Sequence, residues 1–335
     1  MTRPDASAVR SAAALLTAAR EVTLLAHVNP DADALGSALA LGIALHRRGA
    51  VVRVSFAAPA DVPETLRPLD VLGLVVPPER VPLAPEVLVS CDAAEPARLG
   101  GLADRLGTAG ATVMIDHHAS NPGFGGVRVF DPRAEATVVL AHAVLVAMDA
   151  PIDVDIARCL YAGLVTDTRG FRTAGPAAHR LAADLIAAGV DPGRLVRPLM
   201  DTHPFAWLGA LGAIVAGAVL EPGAAAGRGL VHATVPYADT VRFRPEEIDS
   251  VMDVVRTAGE AAVAVVLKQA GPGRWVVSLR SDGTVDVASV AGALGGGGHP
   301  AAAGFTRDGT REELLGALRR GLASSTPSPS HPLAG

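Results

Sequence analysis

The densest run of ionisable side chains is H-V-N-P-D-A-D-A-L-G-S at residues 27–37, directly after an apolar stretch. It sets one imidazole, His27, beside two carboxylates, Asp31 and Asp33. Imidazole with carboxylate and no thiolate is a donor set for manganese, magnesium or a similar oxygen-preferring divalent ion. Pro30 disfavours helix, so all three residues are expected on a loop. An N-cap aspartate on the following helix is the ordinary alternative for such a carboxylate. The chemistry recurs at three more points: Asp92 after an apolar run ending at Ser90, Asp116, His117 and His118 after one ending at Ile115, and Asp167 in L-V-T-D-T-R-G-F-R. Singly, each is an ordinary capping or backbone-bonded residue. Jointly they point to one rim, where two unit charges 4 Å apart repel by about 4 kcal/mol at an effective dielectric of 20. Two divalent cations cancel Asp31, Asp33, Asp92 and Asp167 and leave a site open to phosphate oxygens, which is the arrangement of two-metal hydrolysis.

Those side chains need a scaffold that brings distant stretches together. Over residues 21–189, short β-rich runs alternate with helical runs, the rhythm of a parallel α/β layer. The apolar runs at 22–26, 51–56, 87–90 and 112–115 are continuous rather than alternating, as buried strands are. Acid and imidazole then sit at the C-terminal ends of strands, where open α/β sheets place ligands. Residues 34–48 carry Leu35, Leu39 and Ile43 four apart, with Gly49 as a stop, which predicts a helix on the sheet. Helices are also expected at 135–148, 154–165 and 177–188. The rhythm fades at 191–204, and the Ala-Gly stretch at 221–229 reads as a connecting loop. The division that follows is a catalytic domain at 1–190, a helical linker at 191–229, a smaller α/β domain at 230–323 and a solvated Ser-Pro tail at 324–335. In the smaller domain, strands are expected at 230–235, 261–267 and 275–280, and helices at 246–257, 288–294 and 311–322.

Composition narrows the partners. Lys and Arg total 29 against 34 Asp and Glu, and the net charge of −5 argues against tracking along a long polyanion. A small anionic substrate stays open, because metal ions supply positive charge. Two cysteines without C-x-x-C spacing, Cys91 and Cys159, exclude structural zinc and a disulfide framework. Cys91 reads as a small buried residue. Arg10, Arg20 and Glu21 interrupt the apolar N-terminal stretch, so a signal-peptide core is missing and the cytoplasm is expected. Residues 205–220 are uncharged but short of the ~20 needed for a membrane span, and read as a buried helix running into a strand. Aromatic content of 3% excludes an extended base-stacking platform, with Phe171 and Phe305 expected in the core. The run Gly295 to Gly298 before His299 offers unobstructed backbone amides for a phosphate, and lacks the G-K-[ST] of a Walker loop.

The run at 27–37, the D-H-H at 116–118 and G-G-G-G-H-P-A-A-A-G-F at 295–305 together resemble the DHH/DHHA1 phosphoesterases. Within them the chain is most similar to bacterial bifunctional oligoribonucleases that are also phosphatases of 3'-phosphoadenosine 5'-phosphate (pAp), a group with relatives that turn over cyclic dinucleotides. The resemblance implies an N-terminal DHH domain, with a parallel sheet flanked by helices, linked to a smaller α/β DHHA1 domain. It implies two divalent ions, manganese first and magnesium or cobalt as alternatives. His27, Asp31 and Asp92 would hold one ion, and Asp33, Asp92, His117 and Asp167 the other, with Asp92 bridging. Asp116 would orient a histidine, and His118 would face the scissile phosphate as hydrogen-bond donor or general acid. Asn29 and Ser37 would fix the loop and helix start. Arg280, Gly296, Gly297, Gly298 and His299 would grip a substrate phosphate across an interdomain cleft. Substrates would be short RNA, dinucleotides and pAp, with no long duplex, no membrane and a homodimer as one option for assembly. Many relatives carry D-T-G-S-F-R where this chain has D-T-R-G-F-R at 167–172, so Arg169 would add charge near the metals. Rival readings are a manganese-dependent inorganic pyrophosphatase, which the glycine-histidine motif disfavours; a RecJ-like exonuclease, which the short, acidic chain disfavours; and a non-hydrolysing nucleotide sensor, which a turnover assay with and without Mn2+ separates.

Overall fold

The structure is a computed structural model that describes residues 5–324, and the chain divides between Thr202 and His203 into two compact units. The first contains α1 (Ala6–Ala18), β1 (Glu21–Ala26), α2 (Ala32–Arg47), β2 (Val51–Ser55), β3 (Val87–Cys91), α3 (Arg105–Thr108), β4 (Ala111–Asp116), β5 (Val127–Phe130), α4 (Thr137–Ala147), α5 (Val154–Asp167), α6 (Pro176–Ala187) and α7 (Pro192–Met200). Its sheet runs β2-β1-β3-β4-β5, every pair parallel. The chain leaves β1 toward β2 and then returns to its other side as β3. Strand order reverses there, which opens a crevice beyond the C-terminal ends of β1 and β3.

Continuous apolar text became buried strand in the sheet centre, β3 throughout and β1 from its second residue, whereas β2, at the sheet edge, is exposed at Val51 and half-buried at Val52 and Arg53. Helix α2 is buried from Ala32 to Leu45, deeper than a single apolar stripe suggests, because α5 lies against it. Two glycines permit that approach. A Cβ on Gly36 would lie 2.5 Å from the Cys159 carbonyl oxygen, and one on Gly163 would lie 2.6 Å from Val138 and 2.8 Å from Asp33 Oδ1. Helix α1 and strand β5 were not anticipated. Helix α1 buries Val9, Ala12, Ala13 and Leu16, an amphipathic spacing in a stretch read only for a leader. Strand β5 is four residues long and interrupted by Arg128.

The second unit contains α8 (Phe205–Ala216), β6 (Val219–Glu221), α9 (Ala224–Gly227), β7 (Leu230–Val235), α10 (Tyr237–Arg242), α11 (Pro245–Val255), β8 (Val263–Gly271), β9 (Arg274–Ser281), α12 (Val287–Ala293), β10 (Gly297–His299), β11 (Ala302–Asp308) and α13 (Arg311–Ser324). Its sheet runs β10-β11-β9-β8-β7-β6, antiparallel except for β7 with β8. One core gathers Val265, Leu279, Phe305 and Leu318, and another gathers Trp207, Val251 and Val266. The helix at 205–216 forms and runs into β6, but it is not buried. Phe205 is 89% exposed and only Trp207 and Ile214 are enclosed, because one side of the helix faces the core whatever the other side carries. Among the described residues no helix is long and apolar enough to cross a membrane. The expected tail at 325–335 lies outside the described residues, while Ser324 closes α13.

Candidate metal centre

Four chain segments deliver donors to the rim of the first sheet. His27 follows β1 and Asp92 follows β3, the two strands at the reversal, while Asp116 ends β4 and hands on to His117 and His118. Asp167 is the last residue of α5. His27 and Asp31 lie outside the helix as expected, and only Asp33 departs from the loop expectation. Asp31 is the N-cap of α2 and accepts from the amides of Asp33 and Ala34 at 3.0 and 2.9 Å, and Asp33 stands in the first helical turn. Pro30 restricts only what precedes the cap, so the helix starts immediately after it. The capping and donor readings of Asp31 therefore describe one residue. Asn29 in the loop before α2 and Asp92 at the end of β3 both take left-handed backbone, at φ 54° and 59°, a costly conformation kept at functional sites.

The donors fall into three groups whose atoms lie within 4.8 Å of one another: His27, Asp31 and Asp92; Asp33, His117 and Asp167; and Asp92, His117 and His118. Asp92 and His117 link the groups. His27 Nε2 lies 3.6 Å from Asp31 Oδ2 and 3.5 Å from Asp92 Oδ2, and His117 Nε2 lies 3.7 Å from Asp92 Oδ1 and 3.3 Å from Asp167 Oδ2. The other ring nitrogen of each histidine meets a carbonyl, Nδ1 of His27 that of Val28 at 2.9 Å and Nδ1 of His117 that of Ala134 at 3.0 Å. With Nδ1 engaged by a carbonyl, Nε2 is the ring atom turned toward the carboxylates in both residues, the arrangement of a metal-bound histidine whose other nitrogen is tied to a carbonyl. Separations of 3.3–3.7 Å are long for hydrogen bonds but suit the distance between two ligands each about 2.0–2.2 Å from a shared ion.

Electrostatics agree. Burial, then the charges of Asp92 and Asp31, pushes Asp33 well above the usual carboxylate range. Burial with Asp33 and Asp92 does the same to Asp167. Burial alone would lower His27, but Asp31 and Asp92 outweigh it and hold the imidazole up at about 10. For Asp31 the upward push of burial is overcome by the hydrogen bond to His27, and its pKa falls. These are the signs of negative charge concentrated out of water, which divalent cations neutralise. The donor set thus fits hard divalent ions.

His118 is held differently. Its Nδ1 lies 2.8 Å from Asp116 Oδ1, and the far oxygen of Asp116 accepts from Asn121 Nδ2 at 2.6 Å. Asp116 is fully buried, and its hydrogen bond to His118 overrides the lowering effect of burial, so the imidazole's pKa rises. Asn121 escaped sequence reading, although it stands three residues beyond the D-H-H. Thr137 also escaped it. Its hydroxyl donates to Asp92 Oδ1 at 2.7 Å. Ser37 is buried within α2, and Arg169 follows Asp167 in a left-handed turn with Gly170 and Phe171. Cys91 is fully buried beside Asp92, and burial with that charge pushes its thiol up, away from nucleophilic form. Phe171 packs against Tyr161 and His179, and Phe305 is a core residue.

The remaining candidates lie in the second unit. Arg280 pairs across the sheet with Ala302, and Ala302 pairs with His299, so Arg280 and His299 project from one face. Part of the glycine run folds as an edge strand rather than as a loop. Gly297 and Gly298 lie in β10, and a Cβ on Gly296 or Gly298 would lie 2.1 or 2.5 Å from a β11 carbonyl oxygen. Close strand packing demands those two glycines, while a Cβ on Gly297 meets open space.

Comparison with known proteins places this architecture. Residues 21–164 match the DHH family, N-terminal domain, and residues 231–323 match the DHHA1 domain. The bifunctional oligoribonuclease and PAP phosphatase NrnA of Thermus thermophilus is 32% identical over 309 residues, spanning 90% of each chain. The cyclic-di-AMP phosphodiesterase GdpP of Geobacillus thermodenitrificans is 27% identical over 310 residues, which are 85% of this chain and 44% of that protein. A crystal structure of an exopolyphosphatase-related protein from Bacteroides fragilis shares the fold at a TM-score of 0.84, with 21% identity over 96% of this chain and 97% of the other. With both domains in order and near full-length likeness to a hydrolase, the chain belongs to the DHH/DHHA1 phosphoesterases, a family of metal-dependent hydrolytic enzymes.

Proposed function

We propose that this phosphoesterase works with two divalent ions, manganese in the cell, and cuts short oligoribonucleotides, linear dinucleotides and pAp to mononucleotides in the cytoplasm. The carrying observation is the position of Asp92, whose two carboxylate oxygens face different histidines, His27 at 3.5 Å and His117 at 3.7 Å. One ion is assigned to His27, Asp31 and Asp92, the other to Asp33, Asp92, His117 and Asp167. Bound there, the ions would supply an acidified water and a positive seat for phosphate oxygens. The chain's own residues supply the rest. Asp116 holds His118 through Nδ1, so Nε2 is the atom that donates a proton to the leaving oxygen. Cys91 takes no part.

Residues 1–190 are assigned to catalysis and 230–323 to substrate binding, with Arg280 and His299 on the terminal phosphate on either side of Ala302. Gripping a chain end suits a net charge of −5, which disfavours long duplexes. Likeness to a cyclic-di-AMP phosphodiesterase supports cyclic dinucleotides as a second substrate class. The test is product analysis with pAp, a linear dinucleotide, a five-nucleotide RNA and a cyclic dinucleotide, with Mn2+ and after chelation. Mn2+-dependent release of mononucleotides from the short substrates is expected. Turnover after chelation, or none with any substrate, contradicts the proposal.

A further inference from the structure

Helix α4 begins at the metal centre, and its N-terminus lacks the usual cap. Ala136, in the cap position, has no side chain able to accept from the first amides. The carboxylate of Asp33, 104 residues earlier in the chain, takes that place: Thr137 N–H donates to Oδ2 at 2.6 Å and Val138 N–H to Oδ1 at 2.9 Å. The side chain of the same threonine turns to a second carboxylate, its hydroxyl donating to Asp92 Oδ1 at 2.7 Å. Thr137, Asp33 and Asp92 are at most 3% exposed, so water does not substitute for these bonds.

Resting on the two-metal reading above, we propose that Thr137 is a positioning residue that sets the geometry of the whole centre. Its amide aims Asp33, which belongs to one donor group, and its hydroxyl aims Asp92, which links the groups. The two carboxylates come from α2 and the end of β3, and a shift of either element alone would change their spacing. One residue bonded to both makes that spacing a property of a single helix terminus. Threonine suits the task because its branched Cβ restricts χ1, which keeps the hydroxyl on Asp92. A carboxylate whose outer hydrogen bonds are lost holds metal less well, by roughly 10- to 100-fold in affinity.

The test is calorimetric titration of the metal-free full-length protein with Mn2+, read with thermal melting of the metal-free form and with kcat and KM for pAp. Thr137→Val replaces the hydroxyl by a methyl and keeps the backbone amide. Its expected result is a modestly lower melting temperature without metal, since a buried carboxylate loses a donor, about 10- to 100-fold weaker Mn2+ binding, and a fall in kcat larger than any change in KM. Thr137→Ser and Thr137→Ala both lose the methyl and differ only in the hydroxyl, so they decide the matter even where the valine variant fails to fold. Serine restoring affinity that alanine lacks supports the proposal. Equal Mn2+ affinity in serine and alanine variants overturns it. A wild-type protein that binds no Mn2+ removes the two-metal reading itself, whereas wild-type binding matched by all three variants removes only the role of Thr137.

Discussion

The side chains of the centre divide by what holds them. Asp92 is pinned by left-handed backbone, by the Thr137 hydroxyl and by two facing histidines. Asp92→Asn keeps the shape and removes the charge common to both proposed ions, so hydrolysis of pAp should fall by roughly 10³-fold or more, the several kcal/mol that charge stabilisation supplies. Unchanged turnover would remove Asp92 from the mechanism. His118 Nδ1 lies 2.8 Å from Asp116 and 3.6 Å from Asp92, so its hydrogen bond is to Asp116, and His118→Asn should reduce kcat by about 10²- to 10⁴-fold while Mn2+ binding stays near wild type. Parallel loss of binding and turnover would make it a ligand instead. The ionisable members of the centre were legible in the text because acid and imidazole stand immediately beyond apolar runs. Thr137 was not, since its meaning depends on a helix terminus docking against Asp33 from 104 positions away.

Helix packing places the donors, and two glycines mark where it is tightest. Alanine in a helix interior is favoured over glycine by about 1 kcal/mol, yet a Cβ at Gly163 would meet Val138 and Asp33 well inside contact distance. Overpacking at about 1–3 kcal/mol decides the sign, so Gly163→Ala should lower the melting temperature and weaken Mn2+ binding, because α5 also carries Asp167. A more stable variant with normal binding would contradict this account of α2 against α5. In the second unit, α11 is anchored at its start by Glu247, which is fully buried and accepts from the backbone amide of Arg244 at 3.0 Å and from its side chain, with His203 at 3.3 Å. Burial pushes the pKa of Glu247 up, but the Arg244 and His203 bonds outweigh it, and the net shift is downward. A carboxylate lowered by folding stabilises above its unfolded pKa, about 4.3, and loses that contribution as pH falls through its folded value. Glu247→Gln should therefore cost about 1–3 kcal/mol at pH 7, with the gap from wild type closing below about pH 4. A pH-independent gap in denaturant titrations would show that charge is not the cause. Elements with a strong period were readable, whereas the β10–β11 hairpin was not. Glycines imply either an open loop or close strand approach, and only the carbonyl oxygens of β11 decide between them.

For the whole molecule, the proposal separates chemistry in one unit from grip in the other. The two-domain order was legible because the parallel α/β rhythm fades at 191–204 before strands and helices resume at 230. The boundary between Thr202 and His203 was not, since helices continue on both sides of it. If Arg280 holds a terminal phosphate, Arg280→Ala should raise KM for pAp by roughly 10- to 100-fold, the worth of a charge-assisted hydrogen bond, with kcat within a few-fold of wild type. A collapse of kcat at constant KM would place Arg280 in the chemical step. Central to the proposal is one pocket, built from His27, Asp31, Asp33, Asp92, His117 and Asp167, that would hold a pair of ions. Its most direct test is a crystal structure of the full chain with Mn2+, using the anomalous signal to locate the metal. Two peaks about 3.5–4 Å apart, both contacting Asp92, are the predicted result. A single peak, or peaks bound through other side chains, would contradict it.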